Sequence, residues 1–455
     1  MIILLNKNSH IHLIGIGGVS MSGIAEILAE RGYKVSGSDL KKSKYIDLLK
    51  DYDIEVFIGH NSKNILGADL IVKTSAIPDE NPEITAAREN GIQIVKRAEM
   101  LSYLMKDKKT IAVAGTHGKT TVTAMLAAIF KAAEQDPAVM VGGYLKELNG
   151  NIADGDGEYF ITEADESDGS FLFFDPYLLL INNLELDHPD FYQNLDEFKN
   201  IFKRFANKYD NKAILLYNKD DKNLTSLFNS RENKNTFSLN NGEYTAKNIN
   251  YNKFESSFDF YYDNKLISKV QLSVTGEYNI YNALAAVSAA FKLDISINAI
   301  KTAMKSFTGV GRRFELKGRI LDGKVDIVDD YAHHPTEIKE LLKTVKNMDY
   351  KNIRVVFQPH RYSRTKRFLK EFASSFGDAD QVYLTKIFSA SEKAKFNISL
   401  NEFADKISKD SAVECQYIAN FDHICKLLRD KAEPGDIILT VGAGDVTDIS
   451  DMILD

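Results

Sequence analysis

KTIAVAGTHGKTTVTAMLAAIFKAA occupies residues 109–133. Its apolar run reads as a buried strand, Gly115 and Gly118 as a tight loop, and the Ala- and Leu-rich run behind Lys119 as an apolar helix. Glycines between a strand and a helix let backbone N–H groups curl round phosphates. Lys119 can then neutralise the β- and γ-phosphates, and the Thr120 hydroxyl can reach a magnesium ion. Val113 stands where the full phosphate-loop pattern has its first glycine, so the match is to the shorter G-T-x-G-K-T form. The competing reading is a chance glycine turn with an exposed lysine. Placement between a strand and an apolar helix speaks against it.

The same strand–loop–helix opening recurs upstream. HIHLIGIGGVSMSGIAEILAERGYKVSGSD, residues 10–39, reads as a βαβ unit, with further strands at DLIVKTSAI and IQIVKRA. Downstream of the phosphate loop, strands are expected at EYFITEA, YLLLINN and KAILLYN. Between Phe237 and Val274 the pattern alternates, as in antiparallel strands, in SSFDFYYD and LISKVQLSV. A third series, KVDIVDDYA, NIRVVFQPH, DQVYLTK and DIILTVGAG, begins after about Gly311. Alternating strands and helices predict parallel sheets covered on both faces. Ligands of such sheets bind beyond the carboxyl ends of the strands. The expected fold class is α/β in three domains. These are a Rossmann-like N-terminal domain over residues 1–106, a central P-loop ATPase-type domain with a mostly parallel sheet over 107–310, and a C-terminal Rossmann-like α/β domain over 311–455.

Composition narrows the function classes. The 455 residues are 44% hydrophobic and 27% charged, enough apolar material for several cores. The formal net charge of −7 argues against a broad nucleic-acid footprint. The two cysteines, Cys415 and Cys425, make neither a disulfide framework nor a zinc pattern, and this predicts a reduced, cytoplasmic protein. The opening MIILLNKNSH is too short for a secretory core, and no apolar run approaches the ~20 residues of a membrane span. A monomer or weak homodimer with no membrane partner is expected.

Three further motifs carry chemistry. Gly15, Gly17 and Gly18 follow a strand and open a helix, where backbone can approach a diphosphate; Asp39 closes the second strand, where a ribose is held in dinucleotide sites. Ser20 replaces the third glycine of that fingerprint, so NAD, another nucleotide diphosphate and a plain tight turn stay open. EADESDGS, residues 163–170, sets Glu163, Asp165, Glu166 and Asp168 just after a strand, and NNLELDHPD adds Asp187 and His188 after the next. Clustered carboxylates repel unless a cation or solvent relieves them, and beside a phosphate loop a magnesium site is the favoured reading over a solvated acidic loop. NKDD at 218–221 and DGDG at 154–157 fit the N-K-x-D and D-x-x-G motifs of GTPases in the right order. A GTP switch is therefore the leading reading from another class. The missing first glycine, the rich acidic cluster and two further nucleotide-type domains count against it.

GIGGVSMSG, GTHGKTT, EADESDGSF, NNLELDHPD, GEYNIYNA, GVGRRFE, DDYAHHPTE, QPHRYSRT and GAGD, in this order along nearly the whole chain, resemble the Mur ligases. The first, seventh and eighth are most similar to the branch that joins L-alanine to UDP-N-acetylmuramic acid. The nearest relative is the branch that recycles a whole tripeptide onto the same sugar nucleotide. The resemblance implies ATP as substrate and Mg2+ as cofactor. It implies an ATP site at Gly115, Thr116, His117, Gly118, Lys119, Thr120, Thr121, Asn279, Asn282 and Arg313, with Arg313 and Asp330 joining from the third domain. It places one magnesium on Thr120 and Glu166 and a second on His188, and counts Lys119, Glu166, His188, Arg313 and Asp330 as catalytic. Gly15, Gly17, Gly18 and Asp39 fall to the UDP-substrate, and Tyr331, His333, Arg361 and Arg364 to the amino acid. Read without the family, Asn279 and Asn282 are caps of an amphipathic helix. Lys203 lies near a lysine that other branches carbamylate, and is left as part of a basic helix face.

The implied chemistry explains these residue types. A carboxylate attacks the γ-phosphate of ATP, ADP leaves, and the amine of alanine displaces phosphate from the acyl carbon. Two carboxylates and a triphosphate must be handled, which calls for a lysine, metal ions and arginines.

Overall fold

The computed structural model describes residues 3, 5–145, 150–167, 169–188, 191–209, 212–390, 392 and 397–455. Asp168, and Pro189 and Asp190 of the NNLELDHPD motif, lie outside the described residues. The strands are β1 (His10–Ile14), β2 (Lys34–Asp39), β3 (Ile54–Ile58), β4 (Leu70–Lys73), β5 (Gln93–Lys96), β6 (Lys109–Ala114), β7 (Ala138–Leu145), β8 (Gly150–Ala153), β9 (Tyr159–Glu163), β10 (Leu178–Ile181), β11 (Ile214–Asn218), β12 (Asn235–Ser238), β13 (Tyr244–Asn252), β14 (Glu255–Tyr262), β15 (Lys265–Leu272), β16 (Glu315–Ile320), β17 (Val325–Asp330), β18 (Ile353–Phe357), β19 (Gln381–Leu384), β20 (Glu414–Tyr417) and β21 (Ile437–Val441). The architecture is α/β with three domains, each built on its own sheet. By compactness the chain forms two units, Met1–Glu185 with Phe198–Tyr244 and Ala285–Ala303, and Leu186–Glu197 with Thr245–Leu284 and Met304–Asp455.

The first unit holds two sheets. One has the order β3-β2-β1-β4-β5, every pair parallel. Strand order reverses between β1 and β4, which opens a crevice at the carboxyl end of β1, where Gly15–Gly18 sit. The other runs β12-β11-β10-β6-β9-β7-β8, in which these strands pair in parallel except at the β7–β8 hairpin. Strand β6 lies between β10 and β9, so the loops that leave these three strands emerge side by side. Both faces of the sheet are covered, and β6 and β10 are accordingly continuous apolar runs, TIAVA and LLLI, rather than alternating ones.

The second unit holds a sheet of order β16-β17-β21-β18-β19-β20, antiparallel only at β16–β17. Successive strand residues feed opposite cores. Leu439 and Val355 enter the cluster around Phe357 and Phe372, whereas Ile438 and Val356 enter the one around Ile424 and Ile449. The alternating stretch is present as β13, β14 and β15; β14 pairs antiparallel with β15 and buries every second residue from Ser256 to Phe260. Among the described residues no helix is long and apolar enough to cross a membrane. Lys203 is exposed on helix Leu195–Lys208, as a basic face requires.

Candidate active site

The phosphate loop is built from its glycines outward. Gly115 has φ +134°, and a Cβ there would come within 3.1 Å of the Asn183 backbone, so this position needs glycine twice over. Gly118, at φ +79°, caps helix Lys119–Ala132 and turns the chain into it. The segment after β10 clamps the loop. Asn183 Oδ1 accepts from the His117 N–H at 2.7 Å, and the Asn182 and Asn183 amides both donate to the His117 carbonyl. Thr116 Oγ1 donates to the Glu185 carbonyl and accepts from its N–H, at 2.8 and 2.9 Å, while His117 Nε2 lies 3.1 Å from Glu185 Oε2. Thr116 and His117 therefore shape the loop, and Thr121 is buried in the first helical turn. Asn183 was not singled out by sequence. Its signal was a polar pair directly after an apolar strand.

Lys119 Nζ donates to the Gly115 carbonyl at 2.5 Å and to Glu166 Oε1 at 2.8 Å. Burial pulls its ammonium down, but Glu166, Asp165 and Glu163 outweigh this and hold it above its ordinary value. It stays a full positive charge at the mouth of the loop. Glu163, at the end of β9, accepts from the Gly142 N–H at 2.5 Å and from the Thr120 hydroxyl; burial nonetheless pushes its carboxyl up. Thr120, Glu163, Asp165 and Glu166 offer hard oxygen donors, the set a magnesium ion takes, so the residues present fit that ion. The GTPase-like motif is spent otherwise. Asp221 caps helix Lys222–Phe228 and accepts the Leu184 N–H, Asp220 holds Ser238 and the Leu239 N–H, and Asp154 is paired with Arg31.

The N-terminal loop turns on Gly15 at φ +85°, whose N–H donates to the Ser38 carbonyl at 2.7 Å. Asp39 Oδ2 accepts the Gly17 N–H at 3.0 Å, and a Cβ on Gly17 would lie 2.9 Å from that oxygen. Asp39 thus braces the turn, and Gly18 opens helix Val19–Glu30.

In the second unit, Asp187 and Arg364 form a buried pair. The guanidinium donates to Asp187 Oδ1 from Nη2 at 2.9 Å and from Nε at 3.3 Å, and to Oδ2 at 3.1 Å. Burial alone would raise the Asp187 carboxyl; Arg364, helped by His188, His333 and His334, holds it far below its usual range. Arg364 also donates to His360 Nδ1 at 3.3 Å, which leaves the imidazole proton on Nε2. His188 adopts φ +53° beside Asp187. Arg361 is not a helical partner of Arg364. It is the N-cap of helix Tyr362–Arg367 at φ +65°, with its N–H on the Phe388 carbonyl. Tyr331 lies under the guanidiniums of Arg312 and Arg313, each 5.1 Å from the ring centre. Asp330 accepts the Phe314 and Ala332 N–H groups, and burial pushes its carboxyl up to about 6 despite Arg313 nearby. Arg312, which the sequence reading passed over, ties three motifs together through Asp329 at 2.8 Å and the Gly442 carbonyl at 2.7 Å. Asn279 and Asn282 lie inside helix Glu277–Lys292 rather than capping it. Asn279 donates back to the Thr275 carbonyl and Asn282 donates to Asn279.

His333 donates from Nδ1 to the Tyr331 carbonyl at 3.0 Å, and burial pulls its pKa down to about 4; His360 is pulled down to about 3 for the same reason. Both imidazoles are neutral in the folded protein near pH 7. Between about pH 6.5 and 4 the unfolded chain takes up protons that the folded one refuses, so stability should be full above this window and fall as pH drops through it. The His333 share is about 3 kcal/mol. Urea unfolding between pH 4.5 and 7.5 should show a shallower pH slope for His333→Gln than for the wild type; equal slopes would contradict the burial argument.

Three family models cover the chain: one described as Mur ligase family, catalytic domain, at residues 10–109; the Mur ligase middle domain at 113–290; and the Mur ligase, glutamate ligase domain at 312–444. A UDP-N-acetylmuramate–L-alanine ligase of Clostridium acetobutylicum is 46% identical over 98% of this chain and 97% of its own length. The enzyme of the same name in Clostridium novyi is 44% identical over 99% and 98%. Among solved structures, the UDP-N-acetylmuramate–alanine ligase of Thermotoga maritima matches with TM-score 0.83 and 29% identity over 98% of each chain. A murein peptide ligase of Psychrobacter arcticus shares the fold at TM-score 0.71 and 24% identity, again over 98% of each. With its motifs in family order on three α/β sheets, and with relatives this similar over their full length, the chain belongs to the Mur ligase family.

Proposed function

We propose that this protein joins L-alanine to the carboxylate of UDP-N-acetylmuramic acid, with ATP converted to ADP and phosphate through an acyl phosphate, as a cytoplasmic step of peptidoglycan synthesis. The observation that carries this reading is the 46% identity, over almost the whole of both chains, to a relative that bears the name of that activity. The domains are assigned to residues 1–106 for the UDP-substrate, 107–310 for ATP and 311–455 for contacts with the amino acid and the nucleotide. The substrate carboxylate attacks the γ-phosphorus and the bond to ADP breaks. The amine of alanine then attacks the acyl carbon, phosphate departs with the bridging oxygen, and the amine loses a proton.

Each residue group has a task in this scheme. Gly15, Gly17 and Gly18, in a turn braced by Asp39, let the chain approach the diphosphate closely at the start of helix Val19–Glu30. Gly115–Thr121 wrap the phosphates of ATP, and Lys119 exchanges its loop carbonyls and Glu166 for phosphate oxygens. Thr120 and Glu166 would hold one magnesium and His188 a second; bound there, the metal would neutralise developing charge on the phosphoryl oxygens. Asn279, Asn282, Arg313 and Asp330 serve the nucleotide, and Tyr331, His333, Arg361 and Arg364 the amino acid. The test is product analysis by mass spectrometry. With ATP, UDP-N-acetylmuramate and L-alanine, the sugar nucleotide should gain one alanine residue, and GTP should support this poorly. GTP binding without product formation would overturn the reading in favour of a switch.

A further inference from the structure

Helix Val19–Glu30 begins where the N-terminal glycine loop ends, and it lies on the β7–β8 hairpin of the central sheet, within the same compact unit. Three points fasten it. At its start, the buried Asn151 amide in β8 donates to the Val19 carbonyl at 3.0 Å. Near its middle, Gly23 faces Ile152 so closely that a Cβ would come within 2.8 Å of Ile152 Cδ1. At its end, Arg31 grips Asp154 with a two-pronged pair, Nε to Oδ2 and Nη2 to Oδ1, each 2.8 Å, while Nη1 holds the Leu104 carbonyl at 3.0 Å. The other strand of the hairpin reaches the phosphate loop. Gly142 in β7 donates its N–H to Glu163, and Glu163 takes the Thr120 hydroxyl. Beside it, β7 pairs with β9, and β9 with β6, the strand that runs into the phosphate loop.

We propose that helix Val19–Glu30 and the β7–β8 hairpin form a rigid bridge that sets the separation of the two glycine loops, with Asn151, Arg31 and Asp154 as its positioning residues. This rests on the reading in which one loop holds the UDP-substrate and the other ATP. Acyl-phosphate formation requires the attacking oxygen within roughly 3–3.5 Å of phosphorus, and a misplacement of about 1 Å costs around a hundredfold. A bridge spanning both loops controls that distance without touching either ligand. Its loss should therefore slow the reaction and leave each ligand bound.

The experiment compares Asn151→Ala, Asp154→Asn and the charge-exchanged double variant Arg31→Asp/Asp154→Arg with the wild type in the full-length enzyme. Steady-state ADP release gives kcat, calorimetry gives separate dissociation constants for UDP-N-acetylmuramate and for a non-hydrolysable ATP analogue, and thermal unfolding reports folding. Asn151→Ala and Asp154→Asn should each lower kcat about tenfold or more, both dissociation constants should change less than about twofold, and the exchanged pair should recover part of the lost rate. An unchanged kcat in the folded Asn151→Ala and Asp154→Asn proteins would overturn the proposal. So would weakened ligand binding that accounts for the whole loss. If Asp154→Asn fails to fold, Asn151→Ala and Arg31→Lys, which keeps the charge but not the two-pronged grip, decide the matter by the same criteria. A wild-type enzyme inactive with these substrates would instead defeat the functional reading, which separates the two failures.

Discussion

Lys119→Ala should lower ATP-dependent acyl-phosphate formation by about a thousandfold, the loss seen when a preorganised charge is removed from a transition state. The lysine is the positive group that the phosphate loop turns inward, and it is held among Glu163, Asp165 and Glu166. Without it these carboxylates face a triphosphate with fewer cations to offset the repulsion. Removal also strips Glu166, fully buried, of an ion pair at 2.8 Å, so a drop in thermal midpoint is expected alongside the kinetic effect. UDP-N-acetylmuramate should still bind, because the N-terminal loop is built from Ser38 and Asp39 and not from Lys119. The measurement is single-turnover ADP release with calorimetry of the sugar nucleotide. Near-wild-type release from a folded Lys119→Ala protein would remove the loop from the reaction.

Arg364→Ala should raise the KM for L-alanine about a hundredfold, which is about 3 kcal/mol. The guanidinium already binds one carboxylate, Asp187, in a fork that only a planar, permanently charged group can supply. The carboxylate of alanine is the same chemical partner. The substitution also strands Asp187 in the interior, and breaking such a pair costs about 3–5 kcal/mol of stability. Because the Asp187 carboxyl is held low when folded, the stability it lends is present above pH ~4 and fades only as the pH falls towards its depressed value. Arg364→Lys separates the two effects. It should keep much of the stability and lose most of the alanine affinity. An unchanged alanine KM in both variants would move the amino-acid site elsewhere.

The parts of this molecule that were legible in the sequence are those whose meaning is local. Gly115, Gly118 and Lys119 announce a phosphate loop because a tight turn between a strand and a helix needs those residues in that order. The parallel sheets were legible in runs such as LLLI, where burial on both faces removes polar alternation. What was hidden depends on partners far apart in the chain. Asp187 and Arg364 are 177 residues apart, and Arg31 and Asp154 are 123 apart; neither spacing has a local period. In the sequence alone Asp154 reads instead as part of a GTPase-like motif. Arg361 and Arg364 show a local rule failing. Their spacing suits one helical face, but Arg361 takes a left-handed backbone and caps the helix. Asn279 and Asn282 resembled caps because asparagine favours helix starts, yet both are buried within the helix, where Asn279 bonds back to the preceding loop.

The central claim, that the amino-acid end of this ligase takes a single L-alanine, is tested most directly by phosphate release with ATP and UDP-N-acetylmuramate as the second acceptor is changed. L-alanine should drive rapid release, and the L-alanyl-γ-D-glutamyl-diaminopimelate tripeptide should leave it at background. Release driven by the tripeptide and not by L-alanine would contradict the account and assign the protein to the recycling branch of the family.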